Sequence, residues 1–407
     1  MTRKLTLEDL NEAARLGGPS TLSEKTLLEP AAGEEGIVAP AKYTAGKIPT
    51  YIFEDRYVNG KAVRTVLIDS RTSQSNRLEA YITQAIKDGH SIFSKMPHIK
   101  VTYRSNDETG NEIERSYLEI QLPHRAVDAH IRIGTVNGAS ASEFPEYVNA
   151  RNSTADNMMP LFELSPVTVA FGAWDATRNK NQLRIASSFN GEIIGVLANQ
   201  DENRPVFRAG ARVDPVAASI NFDASGAKEI AKIIEPEISK SLKDNFEKEK
   251  KGSNIGLGAI PPSIYNGKDE KKKAYDGIAV SSIIRTHVLS FSTLRTLHFG
   301  KGPEGDAAIR VLIAAMIIDA MAGSNAELNL RANCFLRESA KPTTILDKRF
   351  GESEELSMIT LEEADALLEQ AYEQAHAKAG IDWHGQVLEV EGNPLVIKSG
   401  SDDEANE

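Results

Sequence analysis

The chain has 407 residues, of which 41% are hydrophobic and 26% charged, a composition typical of a globular protein with a large core in one domain or two. The single cysteine, Cys334, excludes an internal disulfide and fits a reducing compartment. The N-terminus lacks the apolar core of a signal peptide, and the most apolar run, Val311 to Ala322, is too short to span a bilayer. We therefore expect a cytoplasmic protein without a membrane partner.

The charge is unevenly distributed along the chain. The net charge is −11, but residues 351–407 hold 15 Asp and Glu against 2 Lys and Arg, whereas residues 1–350 hold 43 against 45. A nearly neutral body with local basic stripes can bind nucleic acid without a basic isoelectric point. The overall acidity therefore excludes no class of partner.

The N-terminal half predicts an arm, two hairpins and a helix. Residues 1–44 predict a short helix near Leu7–Leu16 followed by a loose arm. Residues 51–69 predict a hairpin, because Asn59-Gly60 between two β-rich runs is typical of a tight turn. The next elements are a helix from about Asn76 to Lys87 closed by Asp88-Gly89, a hairpin of Ile99–Arg104 with Tyr117–Leu122, and a strand over Val167–Ala173.

The C-terminal half predicts a basic insertion and several regular elements. Residues 227–251 are helical in composition but interrupted by Pro236, and about 245–275 predict an exposed, basic, flexible insertion. The expected elements are a strand over Ala279–His287, a helix over Asp306–Met321, a helix from the capping box at Thr360 to about Lys378 with Gly380 as its C-cap, and a hairpin of Gln386–Val390 with Pro394–Lys398. Residues 399–407 predict a disordered acidic tail.

Mixed strands and helices indicate an α+β fold. The predicted organisation is an N-terminal arm (1–44), a core with insertions (45–350), a C-terminal helix and hairpin (351–398) and a tail (399–407).

The most distinctive segment joins a strand to a helix. Thr65 to Ile68 reads as the end of a buried strand, and almost only polar residues follow where a helix should start. A helix N-terminus attracts phosphate, so additional donors there suggest a grip on an anionic backbone. The simpler alternative is a connecting loop with an N-cap at Ser73 or Ser75. The donors are Ser70, Arg71, Thr72, Ser73, Gln74, Asn76 and Arg77.

This segment resembles the signature of the RAMP-type backbone subunit of type I-U (also called I-G) CRISPR surveillance complexes. In that family an Asp-Ser strand end runs into a Ser-Gln-x-Asn-Arg-Leu-Glu helix start, here Asp69-Ser70 and Ser73 to Glu79. Further blocks agree in the family's order, over roughly residues 45 to 340. They are Pro123 to Ala129, Leu164-Ser165-Pro166 with Phe171 to Asp175, Ser290-Phe291-Ser292 with Leu294 to Leu297, and Asn329 to Cys334.

The resemblance implies an RRM-like (ferredoxin-like) antiparallel sheet with helices on one face and long finger and thumb insertions. It implies a non-catalytic Cascade subunit that binds the guide RNA (crRNA) along its spacer in antiviral defence. Copies would wind head-to-tail into a helical filament and present the guide for pairing with target DNA. Other partners would be the large subunit and the repeat-processing subunit, and no cofactor is expected.

RNA contacts are expected at several places. The resemblance assigns guide contacts to Ser73, Gln74, Asn76 and Arg77, and Arg71 adds a cation to the same helix start. Trp174 could stack on a base, and its simpler alternative is a place in the core. His124 and Arg125 could contact RNA or form an ordinary loop pair. The remaining candidates are Arg178, Lys180, Arg212, Lys271, Lys272, Lys273 and Arg295. A solvated charge run is the alternative for the three consecutive lysines, and a role in packing is the alternative for Arg295.

Two rival functions remain open. A metal-dependent ribonuclease of the RAMP type, cutting guide-paired RNA, would use Asp69, Asp128 or Asp175. The pattern His124-x₃-Asp128-x-His130 offers too few ligands for a catalytic metal, so no metal is expected. The third hypothesis is a plain assembly scaffold whose basic residues serve only contacts between protomers.

Overall fold

The computed structural model describes residues 2–45, 48–106, 111–200, 208–210, 220–257, 263–265 and 277–399. The chain divides into two compact units, each described here by itself. The first unit contains residues 1–42, 51–200 and 277–399, and the second contains 43–50, 201–276 and 400–407.

The elements of the first half of the chain are α1 (Leu7–Ala13), β1 (Thr21–Pro30), β2 (Tyr43–Ala45), β3 (Ile48–Thr50), β4 (Phe53–Val58), β5 (Lys61–Asp69), α2 (Arg71–Lys87), β6 (His98–Asn106), β7 (Glu112–Leu118), α3 (Ala129–Arg132), β8 (Thr135–Val136), β9 (Ala139–Ser140), α4 (Pro145–Arg151), α5 (Met159–Leu164), α6 (Pro166–Phe171), β10 (Ala173–Trp174), β11 (Arg184–Ile185) and β12 (Phe189–Leu197).

Those of the second half are β13 (Arg208–Gly210), α7 (Ala224–Ile234), α8 (Lys240–Glu249), β14 (Ser263–Tyr265), β15 (Val280–Ser290), α9 (Phe291–Leu294), α10 (Gly302–Ala326), β16 (Asn329–Arg331), β17 (Cys334–Glu338), β18 (Thr343–Arg349), β19 (Glu352–Leu356), α11 (Leu361–Ala379), β20 (Val387–Glu391) and α12 (Pro394–Ser399).

The first unit is organised around a large antiparallel sheet. Its strands lie in the order β16-β17-β1-β15-β12-β5-β4, and the β18–β19 hairpin joins it through β1. A smaller sheet has the order β7-β6-β20-β8-β9, with β20 parallel to β6. The prediction of an α+β fold is confirmed, and the RRM-like arrangement stays a prediction.

The expectation of a loose N-terminal arm is wrong after α1, because β1 is an interior strand of the large sheet. It pairs with β15 on one side and with β17 and β18 on the other. The inward positions of β1 are Leu22, Glu24, Thr26, Leu28 and Pro30, all of them buried. Because two of these five residues are polar, the hydrophobic alternation that is typical of a strand is lost.

Two other predicted strands have a different form. Val167–Ala173 is mostly the helix α6, which Ser165 caps through the backbone N–H of Thr168 and which has Pro166 in its first turn. The expected terminal hairpin does not form, because β20 pairs with β6 and β8 and Pro394–Ser399 is helical. In both places the sequence correctly indicated an apolar segment, but the predicted secondary structure or the predicted pairing partner of that segment was wrong.

Predictions that rest on local chemistry are confirmed. Asn59 and Gly60 both have positive φ and join β4 to β5 in a two-residue turn. Thr360 forms a capping box at the start of α11, and Gly380 closes that helix in the left-handed conformation. Pro236 lies in the break between α7 and α8.

The central helix of the first unit is α10. With 25 residues it exceeds the predicted Asp306–Met321 and is long and apolar enough to cross a membrane, contrary to the expectation from its most apolar run. However, 83% of its most apolar window is buried within the protein. It packs against α2, α11 and α1, so the apolar surface of this helix is covered by protein.

The second unit has a small core of its own. Ala227 and Ala231 of α7 pack with Phe246 of α8, and Phe222 and Ile255 lie against them. Two short antiparallel pairs, β2–β3 and β13–β14, belong to the same unit. The predicted basic insertion falls largely here, but Arg212 and Lys271 to Lys273 lie outside the described residues, as does the tail beyond Ser399.

The contact between α10 and α2 generates a prediction about Gly323. A Cβ atom at Gly323 would lie 2.2 Å from the ring of Tyr81. Alanine in a helix is favoured over glycine by about 1 kcal/mol, whereas overpacking costs about 1–3 kcal/mol. We expect Gly323→Ala to lower the free energy of unfolding in the native sequence and to raise it in a Tyr81→Ala background, as measured by denaturant titration. The same sign in both backgrounds would contradict this close approach.

Candidate nucleic-acid interface

The strand-to-helix junction is tighter than the sequence predicts. β5 ends at Asp69, and α2 begins at Arg71 instead of near Asn76. The N-cap is Ser70, whose Oγ accepts from the N–H of Ser73 at 3.3 Å. The expected caps at Ser73 or Ser75 are therefore wrong, and most of the polar run lies within the first two turns of the helix.

The carboxylate of Asp69 is the centre of this junction. It is fully buried and accepts hydrogen bonds from Ser73 Oγ at 3.0 Å, Gln74 Nε2 at 2.6 Å and Arg77 Nε at 2.9 Å. Arg331 also donates to it from β16. Burial alone would raise the pKa of Asp69, but the hydrogen bond and charge of Arg77, with Gln74 and Arg331, lower that pKa below its ordinary value. Asp69 is therefore a carboxylate held between two guanidinium groups.

Both arginines also bind the backbone. Arg77 donates to the carbonyls of Asn329 and Leu330, and Arg331 donates to the carbonyl of Ile68 at 2.7 Å. The first and last of the sequence blocks, residues 69–79 and 329–334, therefore meet in one network. Arg77 was predicted to contact RNA, and the structure shows its donors used inside the protein.

Gln74 links the junction to β15. It is 2% exposed, and its Oε1 pairs with Nε2 of His287 at 2.9 Å while its amide nitrogen is bound to Asp69. Burial, with the charge of Arg285, lowers the pKa of His287 to about 3, so this imidazole is neutral at pH 7. Because both ends of its amide are buried and used, Gln74 is out of reach of a ligand at the surface, which corrects its assignment as an RNA contact.

A cleft of about 640 Å³ lies where two other sequence blocks meet. Trp174, on one wall, is 54% exposed, so the alternative that placed this residue in the core is wrong. Arg184 pairs with it directly across β10 and β11, and the guanidinium carbon lies 4.9 Å from the centroid of the Trp174 ring. The lining includes His124, Arg125, Gly172, Trp174, Arg184 and Ile185.

The floor of the cleft is fixed by Arg125 and Gly172. Arg125 forms an ion pair with Glu79 of α2 and donates to the carbonyl of Gly172 at 2.9 Å. Gly172 has φ +82°, and a Cβ there would lie 2.7 Å from the backbone oxygen of Ile185. Only glycine fits this close approach without strain. Arg125 therefore joins the cleft to α2, and two of its guanidinium nitrogens are used in these contacts.

The remaining predicted residues fall into two groups. Arg178 donates to Asn152 Oδ1 and to the backbone oxygens of Arg151 and Asn181, and Arg295 donates to those of Ala13 and Pro19. These two guanidinium groups hold the fold together. The exposed group comprises Arg71, with Nε 3.5 Å from Glu192, together with Asn76, His124, Trp174 and Lys180.

The carboxylates of the ribonuclease alternative are buried and engaged. Asp175 receives two hydrogen bonds from Arg151, at 3.0 and 2.6 Å. Asp128 accepts from the backbone N–H groups of His124 and His130 at 3.0 and 2.9 Å. Within the described ranges, no group of three or more His, Cys, Asp or Glu residues is placed to hold a metal ion. The geometry thus gives no support to a metal-dependent reaction at Asp69, Asp128 or Asp175.

Residues 22–200 match the model of one protein family, described as CRISPR-associated protein GSU0053. The match covers less than half of the chain and contains the Asp69 junction and the Trp174 cleft, whereas the blocks around Ser290 and Asn329 lie beyond it. It supports the coarser prediction, a CRISPR-associated protein. No curated protein matches the chain.

Two roles were missed by sequence reasoning. Arg184 becomes a neighbour of Trp174 only because the chain reverses between β10 and β11, and two-residue strands leave no periodic signal. Arg331 lies far along the chain from Asp69, so their pairing had no local signal either.

The junction generates a stability prediction. Asp69→Ala would leave Arg77 and Arg331 without their carboxylate, and we expect a loss of about 3–5 kcal/mol in the free energy of unfolding at pH 7. Because the folded pKa of Asp69 is lowered, its contribution is present above the unfolded pKa of about 4 and is lost as the pH falls further.

The matched control is Asp55→Ala, which removes an exposed carboxylate from β4 and should change stability by no more than about 0.5 kcal/mol. Denaturant titrations of both variants and the native protein between pH 7 and pH 3 provide the test. An Asp69→Ala variant as stable as the Asp55→Ala variant at pH 7 would contradict the assigned network.

Proposed function

We propose that this protein is a non-catalytic backbone subunit of a CRISPR surveillance complex and that it binds the guide RNA. The single observation that carries the proposal is the match of residues 22–200 to a CRISPR-associated family. The sequence blocks that resemble type I-U (I-G) backbone subunits give the finer assignment. The matched residues include both exposed polar surfaces, the start of α2 and the cleft at Trp174.

The chemistry of these surfaces supports a single-stranded RNA ligand. Such a ligand requires cations for phosphates, donors for 2′-hydroxyls and flat side chains for bases. Arg71, Lys180 and Arg184 provide exposed cations, Asn76 an exposed amide, and Trp174 an exposed ring. These are the three kinds of group that the ligand needs.

A non-catalytic role agrees with the burial of Asp69, Asp128 and Asp175 in contacts that stabilise the fold. In the proposed complex, copies of this chain associate head-to-tail in the cytoplasm, beside the large and repeat-processing subunits. The guide then recognises target DNA by base pairing, and the protein holds its shape. The scaffold alternative differs in predicting oligomers that need no RNA.

The test begins with protein purified from its own cells in the presence of nuclease inhibitors. We expect a discrete short RNA with repeat-derived ends, identified by extraction and sequencing. The double variant Arg71→Glu/Lys180→Glu should retain less of this RNA, because it loses cations that contact phosphates. Each lost phosphate contact should also reduce the slope of log affinity against log salt concentration by about one. Arg77 is unsuitable as a probe, since its substitution would break the Asp69 network.

The matched control is Lys87→Glu/Lys341→Glu, which reverses two exposed charges outside the candidate surfaces and should retain the RNA of the native protein. Native protein without RNA, or with random fragments retained equally by both double variants, would contradict guide binding. Oligomers of RNA-free protein that resist salt would favour the scaffold alternative.

A further inference from the structure

The cleft at Trp174 combines an exposed aromatic ring with an exposed guanidinium group. Its indole ring is 54% exposed, and tryptophan, with an apolar ring and a polar N–H, is enriched at binding interfaces. The guanidinium of Arg184 lies over this ring, and Gly172 allows the backbone of Ile185 to approach closely. The result is a flat surface that is both aromatic and cationic.

The charge of the cleft selects the kind of ligand. His124, Arg125 and Arg184 line it, and no carboxylate is found among the described lining residues. Arg125 is already neutralised by Glu79, so the accessible charge is that of Arg184. Lys180 lies in the connection that leaves Trp174 and returns to Arg184. A ligand with a flat face and a nearby negative group fits this arrangement.

We infer that the cleft is a nucleobase-stacking subsite, in which one unpaired base of a single-stranded RNA lies against the Trp174–Arg184 pair. The inference rests on the proposed function and deepens it by assigning a site to one nucleotide. The phosphate of that nucleotide is bound by Arg184. The subsite accepts any base, because stacking uses the π-face that all four bases share. Such tolerance suits a guide whose spacer sequence varies.

The two tryptophans of the chain make the test direct. Trp174 is half exposed, whereas Trp383 is 4% exposed in the core. Stacking of a base on Trp174 should quench its emission and leave that of Trp383 unchanged. The probe is a short single-stranded RNA of mixed sequence, titrated into full-length protein from which bound RNA has been removed, with fluorescence and anisotropy recorded together.

We expect RNA to quench the native protein and to leave the emission of Trp174→Ala unchanged. RNA should bind Trp174→Ala about tenfold more weakly, since stacking of one base on an aromatic side chain typically contributes about 5- to 150-fold in affinity. Trp174→Phe should restore most of the affinity. The matched control is Phe335→Ala, which removes an exposed aromatic ring from β17 and should bind like the native protein.

The outcomes separate this inference from the proposed function. RNA that binds native protein and Trp174→Ala equally well, or without quenching, would overturn the stacking subsite and leave guide binding intact. Failure of the native protein to bind single-stranded RNA at low salt would overturn both. Equal losses in Trp174→Ala and Phe335→Ala would also overturn the subsite, because they would show a general effect of lost aromatic surface.

Discussion

The buried carboxylate of Asp69 is the constraint on which the rest of this structure depends. A charge without access to water must be paired and fully hydrogen-bonded, and here Arg77 and Arg331 provide most of that pairing. Arg77 of α2 also binds backbone carbonyls of β16, and Arg331 of β16 binds a backbone carbonyl of β5. The end of β5, the start of α2 and the edge strand β16 are therefore positioned together. Three of the donors that suggested a phosphate-binding site therefore bind a group inside the protein: Ser73, Gln74 and Arg77.

The arginines of this chain divide into those that build the fold and those that are free to meet a ligand. Four arginines donate hydrogen bonds to carboxylates and carbonyls of the protein: Arg77, Arg125, Arg178 and Arg295. Arg184 instead lies over an exposed indole beside a cleft. The proposed RNA surface is therefore smaller than the sequence suggests. Of these four arginines, Arg125 contacts both α2 and the cleft floor.

Sequence reasoning succeeded where structure is decided by neighbouring residues. The Asn59-Gly60 turn, the Thr360 capping box and the Gly380 cap each follow from local backbone chemistry. It failed where distant pairing decides, as in β1, whose inward Glu24 and Thr26 are acceptable only because partners on other elements surround them. The Trp174 site shows both sides: the aromatic residue was found, but its exposure and its partner Arg184 needed the three-dimensional fold.

We propose that exposed groups at the start of α2 and in the Trp174 cleft hold a guide RNA, and that Arg77, Arg125, Arg178 and Arg295 do not contact it. Ultraviolet crosslinking of the purified protein–RNA complex, followed by mass spectrometry of the crosslinked peptides, tests it most directly. We expect crosslinks within residues 171–186, led by Trp174, and near Arg71. Crosslinks confined to other parts of the chain, or an absence of crosslinks in protein that carries RNA, would contradict it.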